Sequence, residues 1–393
     1  MPSARLIPRS NLKHPMKNNQ FVKMIARRVV AVAAGLLLLV PAWAAEMPDA
    51  LLTVANPNVQ AVIAVQNAVT KGLMGGIEDI LGTAAGLDAQ GQVALVIFVN
   101  LEGKNAAQVV NALPKRMRGV NVSVEMTEPF RALQRFTPMD GGAGHQVAQT
   151  PPIQLGTSGG WRKDLANGSC CGGTSGSLIQ VGGVQYILSN YHVYEADIVN
   201  GGNGTTAQTG DYVIQPALID VGCNAANAQN VATLRKISSL PGSNVDCSIA
   251  QVIAGMVRTD GAIIDIGTIS ATTVGASLNQ KVKKSGRTTG LTRSVVSGLN
   301  ATVSITYDNE CAGGTAFTKT FTGQILIKNR YKGVSFIAGG DSGSLMVQDA
   351  ATNPKAVGLL FAGSSTTAIA NPIGQVLSYV GSAVGGTATM VGQ

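Results

Sequence analysis

His192, Asp246 and Ser342 are the residues of this chain whose types could together carry out acyl transfer. A serine hydroxyl is a weak nucleophile until a base takes its proton during attack, and histidine is the usual base because its pKa lies near the working pH. That base works best when a carboxylate fixes its tautomer. His192 is the only histidine after Pro151, in the run Ile187-Leu188-Ser189-Asn190-Tyr191-His192-Val193. His14 and His145 fall in a basic leader and a linker, so neither competes for the role. Ser342 sits in Gly339-Gly340-Asp341-Ser342-Gly343-Ser344, after the apolar run from Val334 to Ala338 and before Leu345-Met346-Val347. Small neighbours let the backbone turn sharply and leave room for a substrate carbonyl. The amides of Gly340 and Ser342 are then expected to form an oxyanion hole, where one lost donor costs about 3 kcal/mol of barrier.

Asp246 is the best candidate for the carboxylate, because Asn244-Val245-Asp246-Cys247-Ser248-Ile249-Ala250 puts an acid at the head of an apolar strand. A buried acid there needs a partner, which His192 Nδ1 would supply. Asp211, Asp220, Asp260 and Asp265 are the rivals; the first two read as loop acids and Asp265 as a strand end. Taken singly, each motif has a plainer reading, a β-turn for the Asp-Ser pair and a structural role for the histidine. Their occurrence in the order His, Asp, Ser within one β-rich segment favours the chemical reading.

The elements that must position these groups are short strands. From Leu155 onward glycine breaks the chain into runs such as Ser177 to Val181, Tyr186 to Leu188, Tyr212 to Ile214, Val231 to Leu234, Ala262 to Ile266, Thr302 to Tyr307, Gln324 to Ile327 and Val357 to Phe361. Many short strands with regular turn signals predict an antiparallel barrel or sandwich. Asn371-Pro372 opens a terminal helix from about Ile373 to Val384. Upstream, Val62, Val65, Val69 and Leu73 recur at spacings of three and four, as on an amphipathic helix. A βαβ-like unit follows: a buried strand Ala94 to Val99, a helix Asn105 to Leu113 ended by Pro114, and an alternating strand Val120 to Val124. Residues 46–136 thus read as a small α+β domain, 137–154 as an exposed linker around a Gly/Ala/Gln/Thr/Pro stretch, and 155–393 as the β-rich domain.

The first 45 residues hold seven Lys/Arg and no Asp/Glu, with an apolar run from Val29 to Val40 ahead of Pro41-Ala42-Trp43-Ala44. This is the pattern of a secretory signal peptide cut after Ala44 or Ala45. Met16 and Met24 are alternative starts. A membrane anchor is the rival reading, but the apolar run is shorter than the roughly 20 residues of a spanning helix. The expected location is therefore secreted or periplasmic, with no membrane contact after cleavage. The formal charge of +8 falls to about +1 without the leader, so basicity gives no reason to expect nucleic acid. Five cysteines, Cys170, Cys171, Cys223, Cys247 and Cys311, allow one or two disulfides with at least one thiol left over, and spacing does not assign the pairs. No C-x-x-C motif occurs and a single histidine lies near the cysteines, so no zinc or other metal site is expected.

These motifs in this order resemble the chymotrypsin-like (trypsin-fold) serine peptidases over about residues 155–385. The stretch Cys171 to Ile179 resembles the strand pair before the family's histidine, and Ile187 to Val193 the histidine motif. Lys284-Ser285-Gly286-Arg287-Thr288-Thr289-Gly290-Leu291, continuing through Val295 to Thr302, is similar to the bacterial streptogrisin-type and alpha-lytic-type enzymes. The resemblance implies two antiparallel β-barrels with the triad between them, a protein or peptide substrate and no cofactor. It implies His192 as general base, Asp246 as its orienting carboxylate, Ser342 as nucleophile and the amides of Gly340 and Ser342 as oxyanion hole. Three departures stand out: Val193 where a cysteine often follows the histidine, Ser344 in place of the second glycine after the serine, and Leu360 or Phe361 where a serine or threonine commonly supports the aspartate. Phe336 stands near the place of the acid in trypsin-like members, which disfavours Lys/Arg specificity. With Phe361, Ala362, Gly363 and Ala368 as walls, an apolar or small side chain is expected before the scissile bond. A barrel-core role for Phe336 is the alternative.

Residues 46–133 also resemble an N-terminal unit found ahead of some bacterial trypsin-like domains, notably at Leu113 to Val120 and Phe130 to Leu133. Antiparallel barrels depend on non-local pairings and fold slowly, so such a unit could contact the peptidase domain as folding aid or inhibitor. A propeptide cut between Thr137 and Pro152 is one reading, a permanent accessory domain the other. The leading rival function is a catalytically inactive trypsin-fold protein that binds peptides or surfaces. An esterase is less well supported, since its one G-x-S-x-G match, Gly156 to Gly160, has no strand before it and no helix after it.

Overall fold

The computed structural model describes residues 51–132, 143–166, 169–195, 207–307 and 317–393. The expected signal peptide lies outside them. Helix α1 (Pro57–Gly76) starts where Asn56 caps it, its side chain accepting from Asn58 N, with Pro57 in the first turn. Val59, Val62, Val65, Val69 and Leu73 form its buried stripe. It lies against β1 (Ile80–Leu87) and β2 (Val93–Asn100). Helix α2 (Ala106–Ala112) ends just before Pro114, and β3 (Val120–Thr127) pairs in parallel with β2, completing the βαβ unit. Then come β4 (Arg131–Ala132) and the short helix α3 (Ala143–Gln146).

The remainder is mainly β. It comprises β5 (Thr157–Trp161), β6 (Gly173–Ser175), β7 (Ser177–Val181), β8 (Val184–Ser189), helix α4 (Tyr191–Tyr194), β9 (Tyr212–Gln215), β10 (Gln229–Arg235) and β11 (Ser248–Val252). After these come β12 (Lys281–Gly286), β13 (Gly290–Tyr307), β14 (Phe317–Lys328), β15 (Leu345–Gln348), β16 (Ala356–Gly363), β17 (Thr367–Pro372), α5 (Ile373–Val384) and β18 (Ala388–Met390). The first sheet runs β18-β7-β8-β11-β10-β9-β5-β6. Its last strand, β6, runs through Gly176 directly into β7, and Gly176 N donates to Leu188 O of β8 at 3.0 Å, so the sheet curls back on itself as a half-barrel. In the second sheet the pairing passes along β12-β15-β16-β17-β14-β13, and β13 pairs back onto β12.

The second sheet also extends beyond that ring. β1 pairs antiparallel with β13, with Gly82 opposite Val303 and Gly86 opposite Gly298, so β1, β2 and β3 continue the same sheet. Gln66 of α1 reinforces the joint, its buried Nε2 donating to Thr83 O at 3.1 Å and to Asn300 O at 2.7 Å. Apolar residues of α1, β1 and β2 and of β13, β14 and β16 share one core cluster. Sequence patterning separates the α+β unit from the β-rich part, but pairing fuses them, because an edge strand satisfies its free amides and carbonyls with any extended neighbour.

Of the linker, residues 143–154 are described, and they mix exposed positions with buried ones. α3 docks on the β-rich part with His145 buried, its Nε2 3.0 Å from Ser285 Oγ and 3.2 Å from Asp265 Oδ2. Gln149 follows it, bonding Gln154 and Thr157. Polar residues without periodicity mark a loop, and here the loop is held by those same polar groups.

Candidate active site

His192 lies in α4, the single helical turn after β8, and Asp246 lies two residues before β11. β8 and β11 are paired, Ser189 opposite Ser248, which brings the two side chains to the same end of the first sheet. His192 Nδ1 and Asp246 Oδ2 are 2.6 Å apart, and both residues are buried. Asp246 Oδ1 accepts from the backbone N–H of Tyr191 at 2.7 Å. Its backbone is also fixed: Asp246 N donates to Asn371 Oδ1 at 2.9 Å, and Asn190 Nδ2 donates to Asp246 O at 2.7 Å. His192 Nε2 is buried with no hydrogen-bond partner, which leaves it open to a proton donor.

Ser342 is nearly fully buried, with its Oγ 3.4 Å from Phe361 O of β16. The turn is clamped onto β6, where Thr174 N donates to Ser342 O at 2.8 Å and Thr174 Oγ1 to Gly340 O at 3.0 Å. Gly173 lies between the serine turn and the histidine turn: a Cβ there would stand 2.6 Å from Val193 Cγ2 and 3.1 Å from Ser342 O. Gly340 has φ of 93° and Gly343 of 91°, left-handed values that favour glycine. At Gly343 a Cβ would also meet Ser189 Oγ and Thr174 O at 2.3 Å.

The acid next to Ser342 is held entirely from within the β-rich part. Asp341 Oδ1 accepts from Thr288 N at 2.9 Å and Thr289 N at 3.2 Å. Its Oδ2 accepts from Thr289 Oγ1 at 2.7 Å and Ala338 N at 2.9 Å, with Lys284 Nζ at 3.3 Å. Lys284 and Asp341 are both fully buried. Burial pushes the Lys284 ammonium below its ordinary pKa, and Asp341 pulls it back. Lys284 Nζ donates as well to Gly290 O at 3.0 Å and to Thr289 Oγ1. The Lys284 to Gly290 motif is thus the support of the serine turn.

The rival acids are engaged elsewhere. Asp211 takes Lys163 at 2.6 Å, Asp220 pairs with Arg287, and Asp260 pairs with Arg258 at 2.5 Å. His145, Asp265 and Ser285 make a second grouping of the same residue types, but serine and carboxylate meet the same ring nitrogen. An imidazole needs its two nitrogens on different partners to relay a proton, so this grouping is a buried anchor. Burial lowers the His145 pKa, with Asp265 acting in the opposite sense.

Phe336 is fully buried among Leu360, Ala368 and Ile337 in the core of the second sheet, its carbonyl accepting from Thr292 Oγ1 at 2.7 Å. Phe361 turns its ring to Phe321, with centroids 5.0 Å apart. The edge formed by Ala362 and Gly363 is taken by β4, Ala362 opposite Ala132 and Gly363 opposite Arg131, in antiparallel register. Thr127 and Ser364 extend that contact through hydroxyls 2.6 Å apart. One residue of the candidate site escaped the sequence reading. Tyr307, at the end of β13, donates its hydroxyl to Asp246 Oδ2 at 2.9 Å. Cys170 and Cys223 form a disulfide, Cys171 is also disulfide-bonded, and Cys247 is a buried free thiol. Among the described residues no helix is long and apolar enough to cross a membrane, and no cluster of three or more His, Cys, Asp or Glu could hold a metal.

Several solved structures are similar to this chain. A glutamic-acid-specific serine protease is 16% identical and covers 61% of this chain and 100% of its own length, with a TM-score of 0.39. Protease A of Thermobifida fusca is 19% identical over 61% of this chain and 99% of its own, at 0.38. An alpha-lytic protease homologue is 18% identical over 57% and 98%, at 0.34. These neighbours are serine proteases of the chymotrypsin-like type. No protein-family model matches the chain, and no curated protein does.

Proposed function

We propose that this protein is a secreted serine endopeptidase that hydrolyses peptide bonds through an acyl-enzyme. The observation that carries the reading is the 2.6 Å contact between His192 Nδ1 and Asp246, which leaves His192 Nε2 free to accept a proton. In the reaction, Ser342 Oγ attacks the substrate carbonyl carbon as Nε2 takes the hydroxyl proton. The amides of Gly340 and Ser342 stabilise the oxyanion. The imidazolium returns the proton to the leaving amine as the C–N bond breaks, and water then hydrolyses the ester by the same base. Asp246 holds the tautomer and stabilises the imidazolium. Of the expected specificity residues, Phe336 and Phe361 are core side chains here, with no exposed surface to offer a substrate, and the Ala362–Gly363 edge is covered by β4.

β4 bears on regulation. A peptide that adds to the Ala362–Gly363 edge needs the backbone groups that Arg131 and Ala132 occupy. On this reading the N-terminal unit is a propeptide that occupies the Ala362–Gly363 edge until the chain is cut between Thr137 and Pro152. Mass mapping of the secreted product tests this, with a new N-terminus expected in that stretch; an uncut, fully active chain would contradict it. The endopeptidase reading is tested by Ser342→Ala, which should lower peptide hydrolysis by several powers of ten. Retention of a tenth of the activity would overturn it, whereas wild-type protein that neither hydrolyses peptides nor reacts with a fluorophosphonate would favour a catalytically silent peptide-binding protein.

A further inference from the structure

The carboxylate of Asp246 needs more than its histidine. An ionised carboxylate offers about four acceptor positions, and a buried one left short of donors is costly. Tyr191 N and His192 Nδ1 supply two donors. Phe361, one of the two residues where the resemblance expects a supporting serine or threonine, brings an aromatic ring and no hydroxyl, and Leu360 is aliphatic. The missing donor comes from another strand. Tyr307 OH reaches the same Oδ2 that meets the imidazole, at 2.9 Å, from a residue only 1% exposed. Its ring stands edge-on to His192, with centroids 5.8 Å apart and planes at 67°. Phe317 and Phe321 pack on it at 6.0 and 6.4 Å, so the hydroxyl has little freedom to swing away.

We propose that Tyr307 is a positioning residue that holds the Asp246 carboxylate in the plane of the His192 Nδ1–H and limits how much negative charge that carboxylate presents to the ring. The proposal rests on the serine-peptidase reading. It deepens that reading by naming the group that replaces the absent serine or threonine hydroxyl. Asp246 leads into β11 of the first sheet and Tyr307 ends β13 of the second, so the bond also ties the orienting acid to the half of the molecule that carries Ser342. Burial and the neighbouring Asp246 push the phenol pKa well above its ordinary value, so the hydroxyl remains a donor across the working range.

The test uses the full chain with Tyr307→Phe and, as a second variant, 3-fluorotyrosine at position 307, a stronger donor of nearly the same size. Tyr307→Phe is expected to lower kcat/KM about tenfold, with KM within about twofold, because a group acting through the carboxylate is worth less than the carboxylate itself. The acid limb of its pH profile should move to higher pH, since a carboxylate stripped of one donor stabilises imidazolium better. The fluorinated variant should move that limb to lower pH. The low-field proton resonance of His192 Nδ1–H, which is read without turnover, should shift in opposite directions in the two variants. Resonances and acid limbs that superimpose on wild type would overturn the proposal, as would an effect confined to KM. Failure of the endopeptidase reading would look different: wild-type protein unlabelled by a fluorophosphonate while the resonance still responds to position 307.

Discussion

Lys284→Met removes the ammonium that faces Asp341 and leaves a fully buried carboxylate beside Ser342. Removing one partner of a buried ion pair costs about 3–5 kcal/mol. Asp341 would keep its hydrogen bonds from Thr288 N, Thr289 N, Thr289 Oγ1 and Ala338 N, which places the loss near the lower figure, about 3 kcal/mol. For a β-rich unit of this size that is a fall in Tm of about 6–12 °C. Asp341→Asn in the Lys284→Met background removes the orphaned charge and should recover much of the loss, a coupling that a double-mutant cycle measures directly. The turn from Ala338 to Ser342 depends on the same carboxylate, so labelling of Ser342 by a fluorophosphonate should slow in the single variant. Thermal unfolding and labelling rate, measured side by side, are the assay. A Lys284→Met protein that melts with wild type and labels at the same rate would refute the claim that this pair supports the site.

Three further outcomes follow from other parts of the molecule. Asp246→Asn should lower kcat by about four powers of ten with the fold intact, because the imidazole loses its tautomer control; circular dichroism and hydrolysis together check it. Burial lowers the His145 pKa, so the folded protein binds its proton less well than the unfolded chain does. The contribution of neutral His145 is therefore complete above the unfolded pKa of about 6.5 and is lost as pH falls toward the folded value. His145→Asn should flatten that dependence when urea midpoints are compared at pH 7 and pH 5. Replacing both Cys170 and Cys223 by serine opens a loop with a sequence separation of 53. Chain entropy puts the cost at about 4 kcal/mol, and an unfolding midpoint equal to wild type would contradict it.

The parts of the site that could be read in the sequence are those whose signal is local. Glycines around Ser342 mark a turn with left-handed residues, and Gly340 and Gly343 adopt them. Asp246 stands at the head of an apolar strand, where burial demands a partner, and Pro372 opens the terminal helix Ile373–Val384. Tyr307 gives no such signal. It is one aromatic in the alternating run that ends β13, and what distinguishes it is a contact across 61 residues with Asp246. Strand partners are similarly silent, because β1 and β4 carry no mark of the edges of β13 and β16 that they join. His145 looked uninformative because its partners, Asp265 and Ser285, are distant in sequence and ordinary in type.

The most direct measurement of the central claim is the site of covalent capture by a fluorophosphonate, read by peptide mass. One adduct on Ser342 is expected in wild type, with labelling lost or slowed by orders of magnitude in His192→Ala. No adduct on Ser342, or equal labelling without His192, would contradict the account.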